Sequence, residues 1–298
     1  KLFIVYGGNK YRIYTTTAIN FSQTFAEDSY PVKTLHNQTK MFEGTSITKA
    51  NPADFSFEVP FTKEKKESIM LDLATNLNSE NTINKFDAYI QTGASTFKLE
   101  SALITSLTVD FGHETQFSMS VEGTATKLTR IGDENASIPG NLQSEGTSRT
   151  PLLVYPVLAM PLITSSDITG IVSCLFQLAN SVDFVDYETL QKSLNVTGPA
   201  SAMYPSTYKI EDRVVSGTIV QYQTDDNITQ LPDFTTGTRL LIKAIEVGKA
   251  KTATPFWQLE INPAMFTKTV DVADTYTQTY SFRSTDNTAL ESRITQYS

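Results

Sequence analysis

Sulfur, imidazole and basic side chains are scarce in this 298-residue chain, which has one cysteine and two histidines. A lone Cys174 excludes a disulfide framework and any thiolate-rich zinc or iron–sulfur site. His36 and His113 have no second His or Cys at ligand spacing, so neither a metal nor another cofactor is expected. Basic residues are in deficit, 24 Lys+Arg against 32 Asp+Glu, for a net charge of −8. That balance argues against a dedicated nucleic-acid binder, which carries a basic face. Long apolar runs are missing too. Leu152–Ile163 spans 12 residues and contains Pro156 and Pro161, whereas a membrane-spanning helix needs about 20. No membrane partner is expected. The start, Lys1-Leu-Phe-Ile-Val-Tyr-Gly-Gly, reads as a strand ending in a turn rather than a signal peptide, so a cytoplasmic place of synthesis is expected. No G-x-S-x-G elbow, phosphate-binding loop or G-x-G-x-x-G occurs. Nothing here predicts an enzyme.

What the chain does have is β pattern. Between Leu99 and Glu122, Leu99, Leu103, Leu107, Val109 and Phe111 fall on one face and Glu100, Ser106, Thr108 and Asp110 on the other, with Ile104 as an exception. Phe111 to Thr115 reads as a turn. Phe117, Met119 and Val121 then alternate with Ser118, Ser120 and Glu122, completing an antiparallel hairpin with one apolar and one polar face. Asp54–Phe61 alternates in the same way, and Lys10–Tyr14, Ala18–Phe21 and Phe86–Gln91 are shorter strand candidates. One helix is predicted, Lys63–Leu77, with Thr62 as its N-cap and Ile69, Leu73 and Leu77 on one face. Gln23–Pro52 shows no strong periodicity and reads as a long loop, carrying Phe25, Tyr30, Leu35, Met41 and Phe42. Gly132–Pro151 is rich in Gly, Asn, Ser and Glu and reads as a linker.

The second half repeats the plan of the first. Asn20-Phe21 has a counterpart in Asp183-Phe184, Asp54–Phe61 in Val214–Tyr222, and Phe86–Gln91 in Arg239–Val247. Leu99–Phe111 corresponds to Phe256–Phe266, where Gln258, Glu260 and Asn262 take the polar face, and Phe117–Thr126 corresponds to Tyr276–Arg283. The helix has a shorter counterpart in Asn227–Phe234. The expected domains are therefore 1–131 and 152–298, joined by the linker 132–151.

Chemistry is sparse. Cys174 lies in an apolar strand-like run and reads as a buried thiol. Glu100, Asp110 and Glu122 could share a sheet face as a glycosidase pair would, but no aromatic sugar platform accompanies them.

The order strand, long loop, strand, helix, strand, hairpin, given twice, resembles the phage tail tube proteins. The resemblance rests on Ala18–Thr126, above all on Asn51-Pro-Ala-Asp-Phe-Ser-Phe-Glu-Val-Pro-Phe with the helix after it, and on Leu99–Thr126 ending Val121-Glu-Gly-Thr-Ala-Thr-Lys-Leu. It implies a mainly β fold: two tandem tail-tube-like β-sandwich domains, each with a flanking helix, contributing strands to a large intersubunit β-barrel. It implies a homotrimeric, pseudo-hexameric ring that stacks head to tail into a DNA channel. Partners would be further copies, tape-measure, tail terminator and baseplate proteins, and DNA in transit. The protein would be assembled in the host cytoplasm and reside in the virion tail. Glu100, Ser106, Thr108, Asp110, Ser118, Ser120, Glu122, Gln258, Glu260 and Asn262 would then face the lumen, and Phe25, Tyr30, Leu35, Met41 and Phe42 would sit between rings. A baseplate hub or tube-initiating ring, or a secretion-tube homologue, fits the same plan. A β-rich adhesin or carbohydrate-active protein is the reading from another class.

Overall fold

Strand alternation dominates the structure as it does the sequence. A computed structural model describes residues 1–31, 42–112, 116–143, 150–160, 167–185, 204–205, 207–227, 230, 234–272, 276–284 and 289–297. The first half contains β1 (Leu2–Tyr6), β2 (Asn9–Ile13), β3 (Asn20–Ser22), β4 (Phe25–Pro31), β5 (Phe42–Ala50), β6 (Ala53–Pro60), α1 (Ser68–Thr75), β7 (Phe86–Gln91), β8 (Thr96–Asp110), β9 (Ser118–Ala125), β10 (Lys127–Gly132) and β11 (Asn141–Leu142). The second contains β12 (Val154–Ala159), β13 (Ile171–Val185), β14 (Thr207–Tyr222), β15 (Phe234–Glu246), β16 (Trp257–Val272), β17 (Tyr276–Ser284) and β18 (Ile294–Tyr297). The fold is mainly β, as expected.

Sixteen strands form one sheet, and β4 with β5 forms a separate two-stranded ribbon. Local chemistry sets the first hairpin: Gly7 and Gly8 both take positive φ between the paired Tyr6 and Asn9, as a two-residue turn with matching twist requires. Within the large sheet one run is β3–β6–β9–β8–β13–β14–β17–β16, antiparallel throughout. It consists of two four-strand units of the same order. β8 also pairs with β7 and β10, and β7 with β1; β16 likewise pairs with β15 and β18, and β15 with β12.

The correspondence extends to single residues. Phe55 of β6 lies opposite Gly123 of β9, and Gly217 of β14 lies opposite Phe282 of β17. In each unit a phenylalanine ring covers a strand glycine, with the two strands' roles exchanged. The register of β7 on β8 slips between Phe86↔Ala102 and Ala88↔Leu99, and that of β15 on β16 slips between Thr238↔Ala264 and Leu240↔Ile261.

The core runs through both units as one cluster. At its centre Phe61 stacks on Phe117 with centroids 4.4 Å apart, and Phe111 stacks on Trp257 at 5.7 Å. The two units thus share aromatic packing as well as backbone pairing at β8–β13.

Four expectations need correction. The helix is Ser68–Thr75, shorter than Lys63–Leu77, and Thr62 is not its N-cap. Instead the Thr62 backbone N–H and hydroxyl both donate to the Glu67 carboxylate, and Lys65 takes φ 58°, which breaks the helical path. The buried residues are Met70, Leu71, Leu73, Ala74 and Thr75, with Ile69 only partly covered. Second, the described residues of Asn227–Phe234 contain no helix. Asn227 closes a turn, accepting from the Thr224 N–H and donating to the Tyr222 carbonyl, and Phe234 already begins β15. Third, Gln23–Pro52 is not an irregular loop: β4 and β5 pair from Phe25↔Ala50 to Pro31↔Phe42. Fourth, Ile104, the exception to the alternation, is fully buried and joins the main core cluster, while Leu103, also fully buried, lies outside that cluster. Thr105 is an extra residue between the pairs Ile104↔Gly123 and Ser106↔Glu122, and this bulge exchanges the faces upstream of it. The slip against β7, where Ser101 takes φ 50°, restores them.

Candidate polar wall and open sheet edges

All the hairpin residues proposed for one polar face except Glu100 lie together on β8 and β9. Asp110, Ser120 and Glu122 are exposed, and Ser106, Thr108 and Ser118 are half-buried. Their registers join them: Ser106↔Glu122, Thr108↔Ser120 and Asp110↔Ser118. Residues directly opposed across a sheet share a face, so β6 adds Ser56, opposite Glu122, and Glu58, opposite Ser120. The Ser118 hydroxyl donates to the Glu58 carboxylate at 2.9 Å. Asp54, also exposed, extends the same alternation. The sequence alternation of β6 already set Ser56 and Glu58 apart from the core, but only the β6–β9 pairing brings them beside the hairpin.

The face continues across the junction between units. Thr108 lies opposite Gln177, Gln177 opposite Ser216, and Ser216 opposite Arg283. Another row runs Ser118, Asp110, Leu175, Thr218, Ser281, Thr267. Carboxylates concentrate in the first unit, at Asp54, Glu58, Asp110 and Glu122. The second unit presents Ser216, Thr218 and Ser281, together with one cation, Arg283, in this stretch.

Glu100 is placed elsewhere. It lies ten residues before Asp110, roughly 30 Å along β8 at strand rise, opposite Lys127 of β10. Its carboxylate is 3.6 Å from the Lys98 ammonium, which is 3.0 Å from Asp87. Burial opposes the Lys98 charge, yet the hydrogen bond it donates to Asp87 and the surrounding negative groups hold its pKa above the ordinary lysine range.

Gln258, Glu260 and Asn262 sit in the first half of β16, between β15 and β18. Glu260 forms an ion pair with Arg239: Nη2 donates to Oε2 at 2.7 Å, and Nε lies 2.6 Å from Oε1. Through the pairing with β17, the counterparts of Ser106, Thr108 and Asp110 are Thr267, Thr269 and Asp271. Their signal was available in the sequence: Thr267, Thr269 and Asp271 alternate with Lys268, Val270 and Val272, beyond Phe266, where the predicted strand stops.

Of the residues proposed between rings, Phe25 is 42% exposed at the base of the ribbon. Tyr30 and Phe42 lie on its strands, opposite Gly44 and Pro31 respectively. Leu35 and Met41 lie outside the described residues, as do His36 and His113. The base of the ribbon is clamped: Asn51 N–H donates to the Thr24 carbonyl at 3.0 Å, and Gln23 bridges the Asn51 carbonyl and the Leu128 N–H.

As catalytic or metal chemistry the surface offers little to build on. Among the described residues no three His, Cys, Asp or Glu side chains come together as a metal site. Cys174 is fully buried on β13, and burial first, then Asp110, push its thiol pKa far above the usual range.

A family model described as Bacteriophage Baseplate Tube Protein Family matches residues 1–290. The chain belongs to that family. No curated protein matches it. Membership gives the sheet its context, a structural part of a phage tail or baseplate. No helix among the described residues is long and apolar enough to cross a membrane.

Proposed function

We propose that three copies of this chain close a pseudo-hexameric ring of the phage tube, that the ring sits at the baseplate end, and that the β6–β9–β8 face and its continuation line the DNA channel. One observation carries the reading. The eight-strand run consists of two units of one order, joined edge to edge inside the chain by β8 and β13. Its outer members are β3 and the second half of β16. Repeating that joint between copies gives a heterologous contact that closes if the rotation allows it. Closure also removes the exposed strand edges. Three chains of eight strands make a 24-stranded barrel. At a strand spacing of about 4.8 Å and a tilt of about 40°, its backbone diameter is about 48 Å, wide enough to pass a DNA duplex. The family's description names the baseplate tube, which favours the tube-initiating ring over a subunit of the long tail tube. Tape-measure, tail terminator and neighbouring baseplate proteins would be the partners.

Native mass spectrometry and negative-stain microscopy of the purified chain test this. The expected result is trimers that appear as rings with a central hole. Short stacks identify a baseplate ring, and long tubes a tail tube subunit. A monomer at high concentration, or a twofold dimer, rejects the proposal.

The channel assignment has its own test. A surface that DNA must pass needs to avoid phosphate contacts, because each added Lys or Arg contact raises affinity in a salt-dependent way. Replacing Glu58, Asp110 and Glu122 together with Lys is expected to leave rings intact and to slow genome ejection, most at low salt. Unchanged ejection from normal particles would mean that this face is not the channel wall.

Among the described residues the β4–β5 ribbon pairs with no other strand, and its base is clamped by Gln23 and Asn51, which suits an arm reaching the adjacent ring. Joining Glu27 to Ile47, an opposed pair, through an Asn-Gly turn would shorten the ribbon without disturbing its base. The variant is expected to fold and form single rings that do not stack. Normal stacks would show that the ribbon is dispensable for stacking.

A further inference from the structure

The joint inside the chain, β8 on β13, offers a template for a joint between chains. At the internal joint β13 pairs with β14 on one edge and with the second half of β8 on the other: Leu175↔Asp110, Phe176↔Val109 and Gln177↔Thr108. The unit correspondence maps both partners. Phe55↔Gly123 and Gly217↔Phe282 align β6 with β14 and β9 with β17. Phe21 lies opposite Phe55, and Phe176 opposite Gly217, so Asn20, Phe21 and Ser22 are the counterparts of Leu175, Phe176 and Gln177, which corrects the expected match of Asn20-Phe21 to Asp183-Phe184. On the other side, Ile104 lies opposite Gly123 and Phe266 opposite Phe282, and the counts then run in step once the Thr105 bulge is passed. Thr108, Val109 and Asp110 therefore correspond to Thr269, Val270 and Asp271.

In the described structure β3 pairs with β6 alone. Its outer edge is the one that β13 uses to hold β8. On β16 the edge away from β17 is held by β15 only as far as Thr267, opposite Phe234. Asn20 and Ser22 are exposed, as is Thr269. Two short edge segments with the same repeat position as a joint already made thus stand at opposite ends of the eight-strand run.

We propose that β3 of one copy pairs antiparallel with β16 of the next in the register Asn20↔Asp271, Phe21↔Val270, Ser22↔Thr269, so that a second copy of this chain is the occupant of both edges. This rests on the ring reading above and adds which strands meet and how they are aligned. β3 is only three residues long, and short edge strands resist indiscriminate pairing. Its contact strengthens only when the rest of the ring aligns it.

Cysteine cross-linking tests the register. The full chain with Ser22→Cys and Thr269→Cys, and separately with Phe21→Cys and Val270→Cys, is oxidised after assembly. The native Cys174 is fully buried and does not interfere. Directly opposed residues lie about 4.5–5.5 Å apart at Cα and alternate between the two pair types of an antiparallel ladder. One of the two variants therefore has the closer geometry, within the disulfide range. The expected result is covalent trimer on non-reducing gels from at least one of them. Ser22→Cys with Asp271→Cys, offset by two residues, is expected to stay monomeric on the same gels. The equivalent internal pairs, Thr108→Cys with Gln177→Cys and Val109→Cys with Phe176→Cys, show which pair type closes. Assembly is read independently by native mass spectrometry. Rings with no cross-link at either in-register pair, or with the cross-link at the offset pair, overturn the register and leave the ring standing. Absence of any ring overturns both.

Discussion

Gly217→Ala is expected to destabilise the protein by about 3 kcal/mol, at the upper end of what a forced extra methyl costs in a packed site. A Cβ built there would lie 2.1 Å from the Leu175 carbonyl oxygen and 2.4 Å from Cζ of Phe282. The ring can turn aside, but the carbonyl is backbone of β13 and can yield only if the strand moves. Leu175 is also the residue that pairs with Asp110 across the joint, so the strain lands where the two units meet. Gly123→Ala is expected to behave alike, with Phe55 Cζ at 2.2 Å and the Leu103 carbonyl oxygen at 2.3 Å. Adding Phe282→Leu to Gly217→Ala removes the ring clash but leaves the backbone clash, so recovery is expected to be partial. Gly93→Ala is the control, since no atom lies within 4 Å of its built Cβ; its effect is expected to stay within about 0.5 kcal/mol. Urea denaturation of the four variants measures the differences. A Gly217→Ala variant as stable as the parent would show that β13 is free to shift, and that the joint is not rigid.

These two glycines also mark where sequence reasoning ends. Alternation is a local property, so the apolar faces of β6, β8 and β9 were legible in Phe55 to Val121. Facing Phe55 with Gly123, or Gly217 with Phe282, is a long-range fact with no local signal. A bulge is hidden for the same reason. Thr105 looks like any strand residue, and only its place opposite β9 makes it the extra one. The exception at Ile104 was its visible trace. The β4–β5 ribbon has no strong apolar alternation in sequence, so strands that pair from Phe25↔Ala50 to Pro31↔Phe42 carry the local pattern of a loop. Lys63-Glu-Lys-Lys-Glu has helical composition, yet Thr62 and Glu67 tie that stretch into a turn, so the helix begins only at Ser68. The predicted strand ends at Phe266, whereas β16 continues to Val272, and this extension carries the second polar segment.

Arg213→Ala is expected to cost about 4 kcal/mol, more than its loss of one charge would suggest. Arg213 projects from β14 of the second unit, 1% exposed, and its Nη2 donates to the Thr75 carbonyl at 2.5 Å and reaches that of Ala74 at 3.5 Å. These carbonyls close the C-terminal turn of α1, where a helix lacks internal donors and favours a cation. Gln296 adds a second link from the same side, donating to Asp72 at 2.6 Å and accepting from Thr75. The only α-helix among the described residues is thus held by side chains of the other unit. Burial first, and the neighbouring Arg293 second, lower the Arg213 pKa to about 10, so it stays charged near neutrality. Truncation leaves buried carbonyls without donors and opens a cavity, and such losses together reach about 3–5 kcal/mol. Arg213→Met fills the space and removes both the desolvation penalty and the repulsion from Arg293. Its cost is expected to fall to about 1–2 kcal/mol, the residue of the unpaired carbonyls. The sign with pH follows from the lowered pKa. The folded state releases this proton more readily than the unfolded chain, so the penalty for holding the charge is constant below about pH 10 and shrinks only above it. The stability difference between parent and Arg213→Met is therefore expected to be flat from about pH 6 to 9, with amide exchange in α1 accelerated far more by Ala than by Met. Equal costs for Ala and Met would assign the whole effect to the charge at the helix end. A cost for Met near zero would assign it to packing, and the link between the units would then be apolar.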